Sequence, residues 1–197
     1  MLANQFSESG WLTRAICKPS PNFNNRPADS LVNLLVIHNI SLPPGIFGSH
    51  YIEDLFLNQL SPDAHPYFRN IYRLRVSSHF LIRRAGELIQ FVSILDRAWH
   101  AGQSQWQGKT DCNDFSVGIE LEGSDDQPYT LHQYRALAVL TMELMARFPL
   151  LTADRIVGHS DVAPQRKTDP GPAFNWCHYK NLLVDGSENQ ISQKKEK

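Results

Sequence analysis

The sequence predicts an α/β protein in which one long helix packs on a central sheet. Three stretches carry that prediction. Leu31–His38 contains the continuous apolar run Leu-Leu-Val-Ile, as in a central strand buried on both faces. Phe115–Leu121, Phe-Ser-Val-Gly-Ile-Glu-Leu, reads as a second strand. Thr130–Phe148 places apolar residues at Leu137, Leu140, Leu144 and Met145, a helical spacing, and Pro149 follows its end.

The remaining elements follow in order. Residues 1–30 are polar and punctuated by Pro19, Pro21 and Pro27, an irregular arm that Trp11 and Leu12 can anchor to the core. After the first strand the chain breaks at Ser41-Leu-Pro-Pro-Gly45. Ser49–Leu60 carries Ile52, Leu55, Phe56 and Leu60 at helical spacing. Ser61–Ile71 is a polar and aromatic loop. Ser78–Arg83 and Leu88–Ser93 read as a hairpin turned by Ala85-Gly86-Glu87. Ala98–Asp114 is loop-like. Arg155–Val157 suggests a short strand, and Phe174–Val184 a last helix. Residues 186–197 form a charged tail expected to lack structure, so residues 1–185 are expected to be a single domain.

Composition excludes several classes. At 197 residues the chain is long enough for one sizeable core. The net charge of -1 argues against a nucleic-acid binder, which carries a basic excess. No apolar run reaches the ~18 residues of a membrane helix. Met1–Gly10 lacks the cationic start and apolar stretch of a secretory signal. Cys17, Cys112 and Cys177 are odd in number and widely spaced, as for free thiols in a reducing compartment. The expectation is a cytoplasmic protein, and a monomer.

His-Glu-x-x-His, Cys-x-x-Cys and Gly-x-Gly-x-x-Gly are all absent. Gly108-Lys109-Thr110 is no phosphate loop, because five residues rather than four separate Gly102 from Gly108 and no apolar strand precedes them. The chemistry concentrates instead in Val157–Gly171, which holds His159, Lys167 and Asp169 in a segment too rich in Pro and Gly for a helix. His38 lies at the end of a buried strand. Two imidazoles and one carboxylate fill three of zinc's four tetrahedral positions, and a catalytic site leaves the fourth for water. Strand alternation puts Glu120 and Glu122 on one face of an otherwise apolar strand. A carboxylate there is costly to bury without a partner, so Glu120 is a candidate general base. Lys167 is a candidate to hold an oxyanion. Bland readings stand beside these. With eight histidines, two can align by chance. Asp169-Pro170-Gly171 is ordinary turn chemistry, Lys167 can be solvated, and Glu120 can pair with an arginine.

Six segments, in order, also resemble a known family. They are Val36-Ile-His-Asn-Ile-Ser-Leu-Pro-Pro-Gly45, Asp63-Ala-His-Pro-Tyr-Phe68, Val76-Ser-Ser-His-Phe-Leu-Ile-Arg-Arg84, Arg97-Ala-Trp-His-Ala-Gly102, Cys112-Asn-Asp-Phe-Ser-Val-Gly-Ile-Glu-Leu-Glu-Gly123 and Ala163-Pro-Gln-Arg-Lys-Thr-Asp-Pro-Gly-Pro172. From about Gly10 to Leu183 the chain resembles the AmpD-type N-acetylmuramoyl-L-alanine amidases of the amidase-2 and peptidoglycan-recognition-protein superfamily. The resemblance implies a central mixed β-sheet flanked by helices, with zinc in a groove along one side. It implies His38, His159 and Asp169 as zinc ligands and Glu120 and Lys167 as the catalytic pair. It implies cleavage of the amide between the lactyl group of 1,6-anhydro-N-acetylmuramic acid and L-alanine, in cytoplasmic recycling of the cell wall. Many relatives carry Tyr where this chain has Ser78, and others carry Cys where it has Asp169; both departures agree with the AmpD branch.

For the anionic stem peptide, Arg75 and Arg166 are candidate carboxylate partners, since guanidinium binds carboxylate bidentately. Asn39 is a candidate partner for peptide or sugar amides, and Trp99 for the apolar face of the sugar. Tyr67 and His100 are further candidates. Three competing classes remain: a binding module without catalysis, an exported amidase acting on polymeric wall, and an unrelated zinc hydrolase. A filled ligand set argues against the first, the absence of a signal or wall-binding domain against the second, and the ordered match against the third.

Overall fold

The computed structural model describes residues 5–184. Ten strands occur in it: β1 (Ile16–Cys17), β2 (Phe23–Asn24), β3 (Leu34–Ile40), β4 (Phe80–Ile82), β5 (Leu88–Gln90), β6 (Arg97–Ala98), β7 (Gln105–Trp106), β8 (Lys109–Thr110), β9 (Ser116–Glu122) and β10 (Ile156–Gly158). The helices are α1 (Tyr51–Phe56), α2 (Leu131–Arg147), α3 (His159–Val162) and α4 (residues 176–184). Six strands form one sheet in the order β1-β5-β4-β9-β3-β10. Every neighbouring pair in it is parallel except the β4–β5 hairpin, so the sheet is mixed, as expected.

β3 and β9 run side by side at its centre. Their register pairs Leu35 with Val117, Val36 with Gly118, Ile37 with Ile119 and His38 with Glu120. Side chains alternate along each strand, so the pair has two unlike faces. Leu35, Ile37, Val117, Ile119 and Leu121 join Leu137, Leu140 and Leu144 of α2 in one apolar cluster. Leu34 and Val36 point the other way, toward Ala101, Phe115, Val157 and Val162. A third cluster, under α1 and the loop after it, gathers Leu42, Ile52, Leu55, Phe56 and Phe68 against Leu81 and Phe91.

α2 begins at a capping box. Thr130 Oγ1 accepts from the Gln133 amide at 3.1 Å, and Gln133 Oε1 accepts from the Thr130 amide at 3.1 Å. Gln133 Nε2 then donates to the Glu122 carbonyl at 2.9 Å, which ties the helix start to the end of β9.

Several expectations need correction. The first strand begins at Leu34 and continues through Asn39 and Ile40, so His38 lies inside it rather than at its end. Leu31 is exposed. The second helix spans only Tyr51–Phe56; Asn58 adopts a left-handed φ of 61°, which turns the chain away. The arm is less irregular than expected, because β1 adds to the sheet edge and Leu12, Phe6 and their bridge are buried. The loop of residues 98–114 contains the β7–β8 ribbon, turned by Gln107 and Gly108 at positive φ. Gly108-Lys109-Thr110 is thus one limb of a hairpin. The segment expected to be too rich in Pro and Gly for a helix holds the short α3, because Pro164, Pro170 and Gly171 fall after Val162, Gly158 stands before the first turn, and Asp161 Oδ2 accepts from the Gly158 amide at 2.7 Å. The charged tail lies outside the described residues.

Candidate active site

Parallel pairing gathers the site. β10 sits beside β3 with Gly158 opposite Ile37, so the next residue, His159, arrives beside His38. On the other side of β3, Glu120 is the register partner of His38. Asp169 comes from the loop after α3. Its carbonyl accepts from the Ser160 amide at 3.0 Å, and the carbonyl of the next residue, Pro170, accepts from Asn39 Nδ2 at 3.2 Å and Tyr129 Oη at 2.7 Å. Gly171 closes this lock: a Cβ there would lie 2.3 Å from Asp125 Cα.

Three atoms converge as a result. His38 Nδ1 lies 2.9 Å from His159 Nδ1 and 3.2 Å from Asp169 Oδ2, and His159 Nδ1 lies 3.0 Å from the same oxygen. Both imidazoles are buried and the carboxylate nearly so. The partner behind His159 sets its tautomer. Nε2 lies 3.1 Å from the Ala101 carbonyl, an acceptor only, so Nε2 carries a hydrogen and Nδ1 is the atom turned toward the other donors. Burial lowers the His38 pKa to about 4 despite the hydrogen bond to Asp169, so His38 is neutral near pH 7. Burial opposes ionisation of Asp169, but the two histidines outweigh it and hold the carboxyl well below its usual range. Two imidazole nitrogens and a carboxylate oxygen thus share one point, joined by contacts that a bound cation would replace. The donor atoms lie within 4.8 Å of one another, and two imidazoles with a carboxylate are a zinc-type donor set. The residues fit the metal.

Glu120 is buried, and its Oε2 has no hydrogen-bond partner among the described residues. Burial first, and the Asp169 charge second, push its carboxyl well above the usual range; Lys167 pulls the other way. Lys167 is exposed and lines the same cavity as Glu120 and the three converging residues, with a volume of about 710 Å³. Leu42, Leu55, Phe56, Ile71 and Val76 give that cavity an apolar wall.

The other candidates are placed unevenly. Trp99 lines the cavity, its Nε1 fixed on Asn24 Oδ1 at 2.6 Å. Tyr67 lines it and is exposed. Asn39 lines it too, with Nδ2 committed to Asp125 Oδ1 at 2.8 Å as well as to Pro170. Arg166 is on the wall, where Nη2 donates to the Ala101 carbonyl at 2.6 Å and the Gln103 carbonyl at 2.7 Å. Arg75 is exposed between the lining residues Leu74 and Val76 and does not itself line the cavity. His100 is buried, with Nδ1 2.9 Å from His38 Nε2. Asp125, Asn113, Ser116 and Gly118 escaped sequence reading, because their contacts join distant residues and leave no local spacing.

The N-acetylmuramoyl-L-alanine amidase family model matches residues 25–172. The 1,6-anhydro-N-acetylmuramyl-L-alanine amidase AmpD of Enterobacter cloacae is 52% identical over 185 residues, 94% of this chain and 98% of the relative. The crystal structure of a selenomethionine derivative of AmpD superposes with a TM-score of 0.87 at 52% identity, covering 89% of this chain and 98% of that one. A complex of the amidase AmiD from E. coli with the substrate anhydro-N-acetylmuramic acid-L-Ala-D-gamma-Glu-L-Lys gives a TM-score of 0.58 at 29% identity, covering 80% of this chain and 60% of that one. On its matched length, its sheet order and its relatives, the chain belongs to the N-acetylmuramoyl-L-alanine amidase family.

Proposed function

We propose that this chain is a zinc-dependent amidase that cleaves the bond between the lactyl group of 1,6-anhydro-N-acetylmuramic acid and L-alanine, as a cytoplasmic monomer in cell-wall recycling. One observation carries the reading. A largely buried His38–His159–Asp169 donor set shares a cavity with a buried carboxyl, Glu120, whose Oε2 has no partner among the described residues. The substrate class is taken from the names of the relatives, whose length this chain nearly spans. Residues 1–185 are read as one amidase domain.

His38, His159 and Asp169 would hold the zinc, which when bound supplies a Lewis acid and makes water a nucleophile near pH 7. Glu120 accepts the proton of the attacking water and returns it to the departing amine of L-alanine. Its raised pKa suits it to the first task, because a carboxylate above its ordinary range is a stronger proton acceptor than an exposed one. Lys167 brings positive charge to the mouth of the cavity, where it steadies the oxyanion that forms at the carbonyl. Trp99, held through Nε1 by Asn24, offers its apolar ring to the sugar. Arg166 keeps Nη1 and Nε for a stem-peptide carboxylate, with Arg75 as a second cation at the rim. Asn39 acts through the loop it ties down, and its carbonyl oxygen is the atom left for a substrate amide.

The test is release of free peptide from purified anhydromuropeptide, with and without a chelator. Chelator-sensitive release is expected. Binding without release would favour a recognition module instead, and cell fractionation checks the compartment.

A further inference from the structure

His38 and His159 each turn Nδ1 toward the converging donors, so each presents Nε2 to the protein behind. Those two rear nitrogens meet consecutive residues. His38 Nε2 lies 2.9 Å from His100 Nδ1, and His159 Nε2 lies 3.1 Å from the Ala101 carbonyl. One side chain holds both residues: Asn113 Oδ1 accepts from the His100 amide at 3.1 Å and the Ala101 amide at 2.8 Å. The His100 ring is clamped as well. Its Nε2 is 3.1 Å from Ser116 Oγ, and its face rests on β9 at Gly118, where a Cβ would lie 2.4 Å from His100 Cγ. No side chain other than hydrogen fits at that strand position while the imidazole stays where it is.

We propose that Asn113, His100 and Ala101 form a single brace that sets the tautomer and orientation of both histidine ligands, with His100 as the positioning residue for His38. The hydrogen bonds run in one direction. His38 keeps its Nδ1 lone pair for the metal only if Nε2 carries the hydrogen, and that hydrogen needs an acceptor. His100 Nδ1 is the acceptor, so the His100 hydrogen resides on Nε2 and is given to Ser116 Oγ. The Ala101 carbonyl does the same for His159. One short segment therefore orients two ligands that stand far apart in sequence, and a shift of it would misalign both at once.

The proposal rests on the zinc reading above, and the experiment separates the two. Zinc affinity of the full chain is measured by competition with a chromophoric chelator, and the visible spectrum of the cobalt(II)-loaded protein reports ligand geometry. His100→Leu keeps bulk but loses the acceptor; it is expected to weaken zinc about 10–100-fold, the usual cost of losing a partner behind a metal ligand. His100→Asn places Oδ1 the same number of bonds from the backbone as Nδ1 and is expected to restore most of the affinity. A wild-type chain that binds no zinc overturns the zinc reading and the brace with it. A wild-type chain that binds zinc beside a His100→Leu chain binding equally well, with an unchanged cobalt spectrum, overturns the brace alone. Equal weakening in His100→Leu and His100→Asn also overturns it, since that pattern marks packing rather than hydrogen bonding. Nitrogen-15 NMR of the zinc-loaded wild type needs no variant: the His38 ring is expected with its hydrogen on Nε2, and a ring protonated on Nδ1 refutes the proposal.

Discussion

The two faces of the β3–β9 pair are made by alternate residues of the same two strands, yet they do opposite work. On the α2 side, Leu35, Ile37, Val117, Ile119 and Leu121 meet Leu137, Leu140 and Leu144 of the helix. On the other side, the same strands offer His38, Ser116, Gly118 and Glu120. The first face gains from being dry and close-packed, and any atom removed there leaves a void. The second face is apolar at Leu34 and Val36 and turns polar at its His38–Glu120 end, where groups are answered by one another or by a ligand, and Glu120 Oε2 alone of these is left unanswered by the protein. The contrast teaches where damage should show. Changes on the helix face should cost stability and spare chemistry, while changes on the site face should do the reverse.

The largest expected effect lies on the site face. His38→Ala should lose zinc and turnover together while keeping the far-ultraviolet circular dichroism of the parent; metal analysis of the dialysed protein and peptide release check both. A metal-free His38→Ala chain with full activity would break the contrast at its centre. Next comes Glu120→Gln, expected to retain zinc and lose about 10²–10⁴-fold in turnover, the usual worth of a general acid–base group. The same variant tests the electrostatics. In the folded, metal-free protein Glu120 holds a proton that the unfolded chain has released, because burial and Asp169 raise its pKa. Stability therefore falls as pH rises from the ordinary carboxylate range toward the folded value. Metal-free Glu120→Gln should melt above the parent at about pH 8 and gain nothing at about pH 4, by scanning calorimetry.

Two changes probe the helix face. Leu140→Ala removes a fully buried side chain and should cost about 2–5 kcal/mol in denaturant unfolding, with zinc affinity unchanged in the folded protein. Thr130→Ala removes the cap that accepts from the Gln133 amide and should cost about 1 kcal/mol. Loss of zinc in either, at temperatures where it remains folded, would mean that the two faces are coupled rather than separate.

The same alternation explains what was legible beforehand. The centres of β3, β9 and α2 are marked by apolar runs and repeats, so their existence and type are plain in the residues. Their ends are not, because Asn39 and Ile40 extend β3 by pairing with Leu121 and Glu122, a partnership made across the fold. β1 carries no strand pattern and owes its form to β5 beside it. At the site, the ligand types and Glu120 could be read from spacing and from resemblance. Their supports could not. Asn113 is an unremarkable asparagine in the sequence, and Gly118 looks like a weak point in a strand. Only the approach of His100 gives either a purpose.

The parallel register has a consequence for how such a chain can change over generations. Gly158, Ile37 and Ile119 stand level across three strands, which fixes where His159, His38 and Glu120 emerge. Inserting or deleting one residue within β3 or β9 would exchange their faces and send an imidazole or a carboxyl beneath α2. Length variation is therefore confined to the connections, and the loops around the cavity are where related chains are free to grow or shrink while the chemistry stays in place.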